Sequence, residues 1–200
     1  MIITTSMLRE RYALYSNPMD KIRREAQKGN IIRINRGIYE TDRSINPLLL
    51  ASSILSPSYI SFDSALSYYG MIPEKVVAIT SASLNNRKSK TFINEFGRYE
   101  YSDIPEAAFS EGLTYLEDGD YIVKIASKEK AICDSLYKWR VVHCLNDLKE
   151  LLFKDKRINE VEFADCDFDL MSRLAKLYHR TNLNLLVNLI EKEFQFEQRD

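Results

Sequence analysis

Apolar positions along this chain change their period at two points. Between residues 57 and 126 they fall in short, alternating or continuous runs separated by Gly, Pro, Asn and Asp, which predicts strands. From 127 to 197 they return every three or four residues, which predicts helices. Ahead of both, residues 1–45 pair two helical segments with two β-prone runs. Sheet first and helices after predict an α+β fold, with a small head (1–45) and a larger mixed α/β domain (46–200) ending in a helical C-terminal region.

In the head, Thr5 or Ser6 is placed to cap a helix over 5–14 whose apolar residues are Met7, Leu8, Tyr12 and Leu14. A second helix has Asn17 as N-cap, Pro18 in its first turn, Asp20 at its positive end and Gly29 as its stop. Its periodicity sets Met19, Ile22 and Ala26 on one face, with Lys21, Arg24 and Lys28 opposite and Arg23 at the flank. Residues 31–34 and 38–41, joined by Asn35-Arg36-Gly37, predict a hairpin.

Beyond the head, Asn46-Pro47 opens a helix reaching Ile54. Residues 57–73 then carry their own punctuation. Pro57 blocks helix from the left, Tyr59-Ile60 is β-prone, and Ser61 or Asp63 can cap a helix with the buried stripe Phe62, Ala65, Leu66 and Tyr69. Gly70 and Pro73 end it. A buried strand is predicted at 76–80, a polar basic loop at 85–90, a strand at 96–101, and a hairpin around Asp118-Gly119. Ser127 caps a helix running to Trp139, and further helices are expected over about 145–154, 168–180 and 182–195, the last capped by Thr181.

Charge changes this picture. The whole chain is nearly neutral, yet residues 1–45 hold nine Lys/Arg against five Asp/Glu, so a basic head sits on an acidic body. A basic helix followed at once by an arginine-tipped hairpin is how a winged helix-turn-helix is built, with the helix in the major groove and the wing on phosphates. Lys21, Arg23, Arg24, Lys28, Arg33 and Arg36 are then the DNA-binding candidates. The module is a reduced one, because two helices precede the wing where a complete module has three. The same charge pattern also suits a solvated helix packed on a hairpin.

Catalytic chemistry is not visible. The six glycines are isolated, none is followed by Ser, and no phosphate-binding loop exists. Cys133, Cys144 and Cys166 are widely spaced and do not form a zinc set with His143 or His179, so neither metal nor cofactor is expected. The acidic run 165–169 imitates a calcium loop but lacks its glycine and closing glutamate, and reads as an acidic helix start. Lys124, Lys128, Glu129 and Lys130 could form a nuclease-like set, but charges at a helix start more often make a solvated face. Tyr68 and Tyr69 read as core residues rather than stacking platforms. No secretion signal or run of about eighteen apolar residues is seen, so the expectation is a cytoplasmic protein without a membrane partner.

Taken together, several segments resemble one family. The basic helix from Asp20 to Gly29 and Asn35-Arg36-Gly37-Ile38-Tyr39 resemble the opening of AbiEi-type antitoxins. Residues 57–61, Ala65-Leu66, Tyr69-Gly70 and Ile72-Pro73-Glu74 are similar to the family's central signature, followed by Ile79-Thr80-Ser81 and by Phe96-Gly97 with Tyr99 and Tyr101. Residues 125–134 resemble its A-x-x-E-K-A-x-x-D helix start. The resemblance spans about residues 17–137. It implies a non-enzymatic antitoxin of a type IV toxin–antitoxin pair serving abortive infection and phage defence. Its winged module would repress its own operon at inverted repeats in the promoter DNA. The body would neutralise a nucleotidyltransferase-like toxin, without a stable complex being required. Two other readings stay open: a nuclease- or transferase-like enzyme that reverses the toxin's action, and an orphan DNA-binding regulator.

Overall fold

Asn17 accepts a hydrogen bond from the Asp20 amide, and Pro18 occupies the first turn, so the predicted second helix begins where its caps require. The structure, a computed structural model, describes residues 1–85 and 88–194. The head consists of β1 (Ile2–Thr4), α1 (Thr5–Arg11), α2 (Pro18–Gln27), β2 (Ile32–Asn35) and β3 (Ile38–Glu40). Strand β3 lies between β1 and β2, antiparallel to both. β1 was not predicted, because three residues are too short to show a period. Thr4, not Thr5 or Ser6, caps α1. Leu8 is buried, but Met7 is exposed and Leu14 fully so, since α1 ends at Arg11 and Leu14 lies beyond its apolar stripe. Ile3, Leu8, Ile22 and Ile31 form a small core of their own.

Residues Pro47–Leu50 make a 3-10 turn that continues into α3 (Ala51–Ile54), then comes β4 (Ser58–Ile60) and α4 (Phe62–Tyr68). The remaining sheet comprises β5 (Ala78–Ser83), β6 (Lys90–Asn94), β7 (Gly97–Asp103), β8 (Leu113–Asp118) and β9 (Tyr121–Ala126), with α5 (Glu106–Phe109) between β7 and β8. Their order across the six-stranded sheet is β6-β7-β5-β4-β9-β8, with β5/β7 and β4/β9 parallel and the other neighbours antiparallel. The fold is α+β with a mixed sheet.

Strand β5 starts two residues later than its sequence pattern predicts. Val76 and Val77 lie outside it and Val77 is 93% exposed, because the alignment with β7 begins at Ala78 opposite Arg98. Lys90, the last residue of the polar loop expected over 85–90, instead begins β6, which pairs with β7; that expectation also includes residues 86–87, outside the described residues. The expected continuation of the helical region to 197 also passes beyond them at 195.

Pairing of Ile60 with Ser81 and of Ser81 with Tyr101 puts these three on one face of the sheet, and Tyr59, Ala82 and Ser61 on the other. The first face packs under residues 47–54: Tyr99 donates to the Pro47 carbonyl and Tyr101 to the Ala51 carbonyl, at 3.1 and 2.6 Å. Against the second lie α4 and α6 (Lys128–Lys138), the latter capped by Ser127 as expected. Around α6 are α7 (Leu145–Lys149), a π-helical turn (Glu150–Asp155), α8 (Glu160–Ala164), α9 (Phe168–Lys176) and α10 (Thr181–Glu193). Thr181 is the first residue of α10 and not its cap; Arg180 holds that position. Asp167 caps α9 by accepting from the Leu170 amide, and Asp165 pairs with Lys128, so the acidic run is a helix start. Among the described residues no group of three or more His, Cys, Asp or Glu could hold a metal, and no helix is long and apolar enough to cross a membrane.

The corner at 57–73 departs from its expected capping. Ser61 stands at the N-cap of α4 but makes no cap hydrogen bond. Thr80 supplies it instead: its Oγ1 accepts from the Ser64 amide at 2.9 Å and donates to the Ser61 carbonyl at 2.7 Å. This two-sided clamp holds Phe62 at φ 54, a left-handed conformation costing a bulky residue about 1–3 kcal/mol. Ser61 is thereby released for a different partner.

Candidate functional site

That partner is Asp134. Residues 57–61 and 125–134, quoted above for the family resemblance, meet at the interface of β4 and α6. Tyr59 and Ser61 donate to Oδ2 of Asp134 at 2.9 and 2.6 Å. Its Oδ1 accepts from Lys130 Nζ at 2.9 Å and from Tyr178 at 2.5 Å, and Lys130 also donates to the Tyr178 hydroxyl. Lys130 and Asp134, one turn apart on α6, are fully buried. The ammonium lies 4.8 Å from the centre of the Tyr178 ring and 5.5 Å from that of Tyr59. Burial first, then the Asp134 charge, pushes both phenols far above their ordinary range, so they act only as neutral hydroxyls.

Lys130 therefore does not belong to a solvated face, as the charge run 128–130 predicts. Glu129 is also buried: it accepts from the Ser127 hydroxyl and the Asp167 amide, at 2.7 and 3.0 Å. These charges are turned inward because α6 lies between the sheet and α9 and is enclosed on several sides. Both carboxylate oxygens of Asp134 are engaged and the cluster is closed to solvent, so its geometry suits holding sheet and helices in register. Lys124 is exposed on β9.

The basic residues of the head divide into two groups. Lys21 points back toward the α1–α2 junction. It pairs with Glu25 at 2.8 Å and lies 5.1 Å from the Tyr15 ring and 5.7 Å from Tyr12. The hydrogen bond to Glu25 raises the Lys21 pKa; hydrogen bonds from Asn30 and then Lys21 lower that of Glu25. Arg23 is exposed, 3.7 Å from Asp20.

Arg24, Lys28, Arg33 and Arg36 are exposed. Arg24 and Lys28 line, with Lys21, a groove of about 240 Å³ along α2 whose wall also includes Tyr15, Asn17 and the carboxylates Asp20 and Glu25. Arg33 and Arg36 belong to the β2–β3 hairpin, where Arg33 Nε donates to the Asn35 carbonyl at 3.3 Å. Gly37, at φ 76, permits the turn. Sequence reasoning missed Arg43, whose guanidinium occupies the space a side chain at Gly29 would fill and lies 3.8 Å from Glu95. Its only signal was its share in the positive balance of the head.

The head is joined to the body through Ile34, which belongs to the body's apolar core with Ile2 and Ile38 packed against it, and through polar contacts. Asn35 donates to the Ile54 carbonyl at 2.8 Å and Asn94 to the Ile34 carbonyl at 3.0 Å. Tyr121 of β9 donates to Glu40 of β3 at 2.9 Å. Glu40 is fully buried, and also accepts from the terminal ammonium and the amides of Thr41 and Asp42. Burial pushes its pKa up, but these donors outweigh burial and leave it below the ordinary carboxylate value.

Compared with protein-family models, the chain matches none. No curated protein matches it.

Proposed function

We propose that this chain is a non-enzymatic antitoxin of the AbiEi type, which represses its own operon through the head and neutralises a nucleotidyltransferase-like toxin through the body. The observation that carries the DNA-binding half is the arrangement of the head: a basic helix with an exposed Arg24 and Lys28 beside a hairpin with an exposed Arg33 and Arg36, on one small core. Of the other two candidates, Arg23 is also exposed but pairs with Asp20 and Lys21 is committed to Glu25, whereas these four are exposed and make no ion pair among the described residues. The non-enzymatic half is supported by the buried Lys130–Asp134 cluster of the body, which is closed to solvent and has both carboxylate oxygens engaged.

Four phosphate contacts per head give a salt dependence of about four in log–log slope, which makes one head a weak binder. Tight repression then calls for two heads on an inverted repeat with half-sites about one DNA turn apart. The test is the double substitution Arg33→Glu/Arg36→Glu, which touches no buried contact. It should abolish the gel shift of the chain's own promoter at moderate salt, while co-expression with the neighbouring toxin gene still restores growth. A retained shift with unchanged salt slope refutes the DNA assignment. Failure of the unaltered chain to rescue growth refutes the antitoxin assignment.

A further inference from the structure

A cavity of about 470 Å³ lies away from both sites above, where the segment after the head meets α4 and the β6–β7 turn. Its size is within the range of small-molecule sites. Ile79 and Phe96 form part of its wall, and Val77 and Tyr68 extend it outward, 93% and 50% exposed. An apolar surface of this kind in a concave setting gains by being covered.

No Asp or Glu lines the cavity. Two cations do, Lys75 and Arg98, and they differ. Arg98 is held by Glu100 at 2.6 Å, whereas Lys75 is exposed and makes no ion pair or hydrogen bond among the described residues. The hydroxyls nearest the wall are occupied, Ser64 with the Ala78 carbonyl and Ser67 with the Glu74 carbonyl. What the cavity offers a ligand is thus an apolar wall with aromatic rings and one uncommitted ammonium at its edge.

We propose that this cavity binds a small amphipathic anion: a flat apolar body against Val77, Ile79, Phe96 and Tyr68, with its acidic group on Lys75. The neighbouring cavity shares Lys75 and Val77 but is lined by Asp63, Glu74, Glu100 and Asp155, and it disfavours an anion. The site therefore has a polarity, with the acid directed to Lys75 from the apolar side. The proposal is independent of the antitoxin reading.

The experiment uses the full chain and two fluorescent probes, 8-anilinonaphthalene-1-sulfonate and the neutral N-phenyl-1-naphthylamine, which share an apolar body and differ in the sulfonate. Two variants at exposed positions leave the core alone: Lys75→Glu and Val77→Asp, with unchanged melting curves as the folding control. Saturable 1:1 binding of the sulfonate is expected. Lys75→Glu should weaken it at least ten-fold and leave the neutral probe within about two-fold, and Val77→Asp should weaken both. Sulfonate binding that is absent, or the same in all three proteins, overturns the site. Equal loss of both probes on Lys75→Glu keeps an apolar cavity and overturns the anion.

Discussion

Replacing Asp134 tests the central packing most directly. Its carboxylate accepts four hydrogen bonds, from Tyr59, Ser61, Tyr178 and Lys130, all without solvent. Asp134→Ala strands a buried ammonium, a loss of about 3–5 kcal/mol. It also strips the acceptor from three hydroxyls, at about 1 kcal/mol or more each. The total rivals the whole stability of about 5–15 kcal/mol, so that variant should not fold. Asp134→Asn is the measurable one: its amide oxygen still accepts, but its NH2 meets donors on one side, and a cost of about 3–5 kcal/mol is expected. Lys130→Met should cost less, because the remaining carboxylate keeps three hydroxyl donors. The double variant should be better than the sum of the two by at least about 1 kcal/mol, since each single change leaves a charge or donor that the other relieves. Urea unfolding followed at Trp139, the single tryptophan, reads all three. Single costs below about 1 kcal/mol, or additivity within about 0.5 kcal/mol, would refute the reasoning.

Two further outcomes follow from the same contacts. Thr80→Val keeps the shape of the side chain but removes the cap of α4 and the clamp on Ser61; a loss of about 1–2 kcal/mol is expected, read as a melting temperature lower by about 2–8 °C. Because the Glu40 pKa lies below its ordinary 4.5, its contribution is complete above that value and disappears as pH falls through the lower folded value. The stability advantage of the unaltered chain over Glu40→Gln should therefore shrink on acidification below pH 4.5, and an advantage independent of pH would contradict the sign.

The head illustrates how much was legible before any coordinates. Asn17, Pro18 and Gly29 delimit α2 because capping and left-handed turns depend on residues within four positions of each other. The Asn35-Arg36-Gly37 turn and the Ser127 cap were readable for the same reason. The exposure of Arg24, Lys28, Arg33 and Arg36 agrees with the periodicity of their elements, and the α+β order of segments follows from the change of period. By contrast, Lys21 shares a face with Arg24 and Lys28 by spacing and yet is spent on Glu25 and two tyrosines. Spacing on one helix carries no information about what a neighbouring helix brings to it.

The buried cluster makes the division sharper. Local sequence determined that 128–138 is helical and that Lys130 and Asp134 stand one turn apart. Whether that pair faces water or the interior depended on residues 59, 61 and 178, at sequence separations from 44 to 75. The register of β5 on β7, the exposure of Val77 and the capping of α4 by Thr80 were decided in the same way. Short-range preferences choose the element; burial of a charge, and hence its role, is set by which distant surfaces close over it.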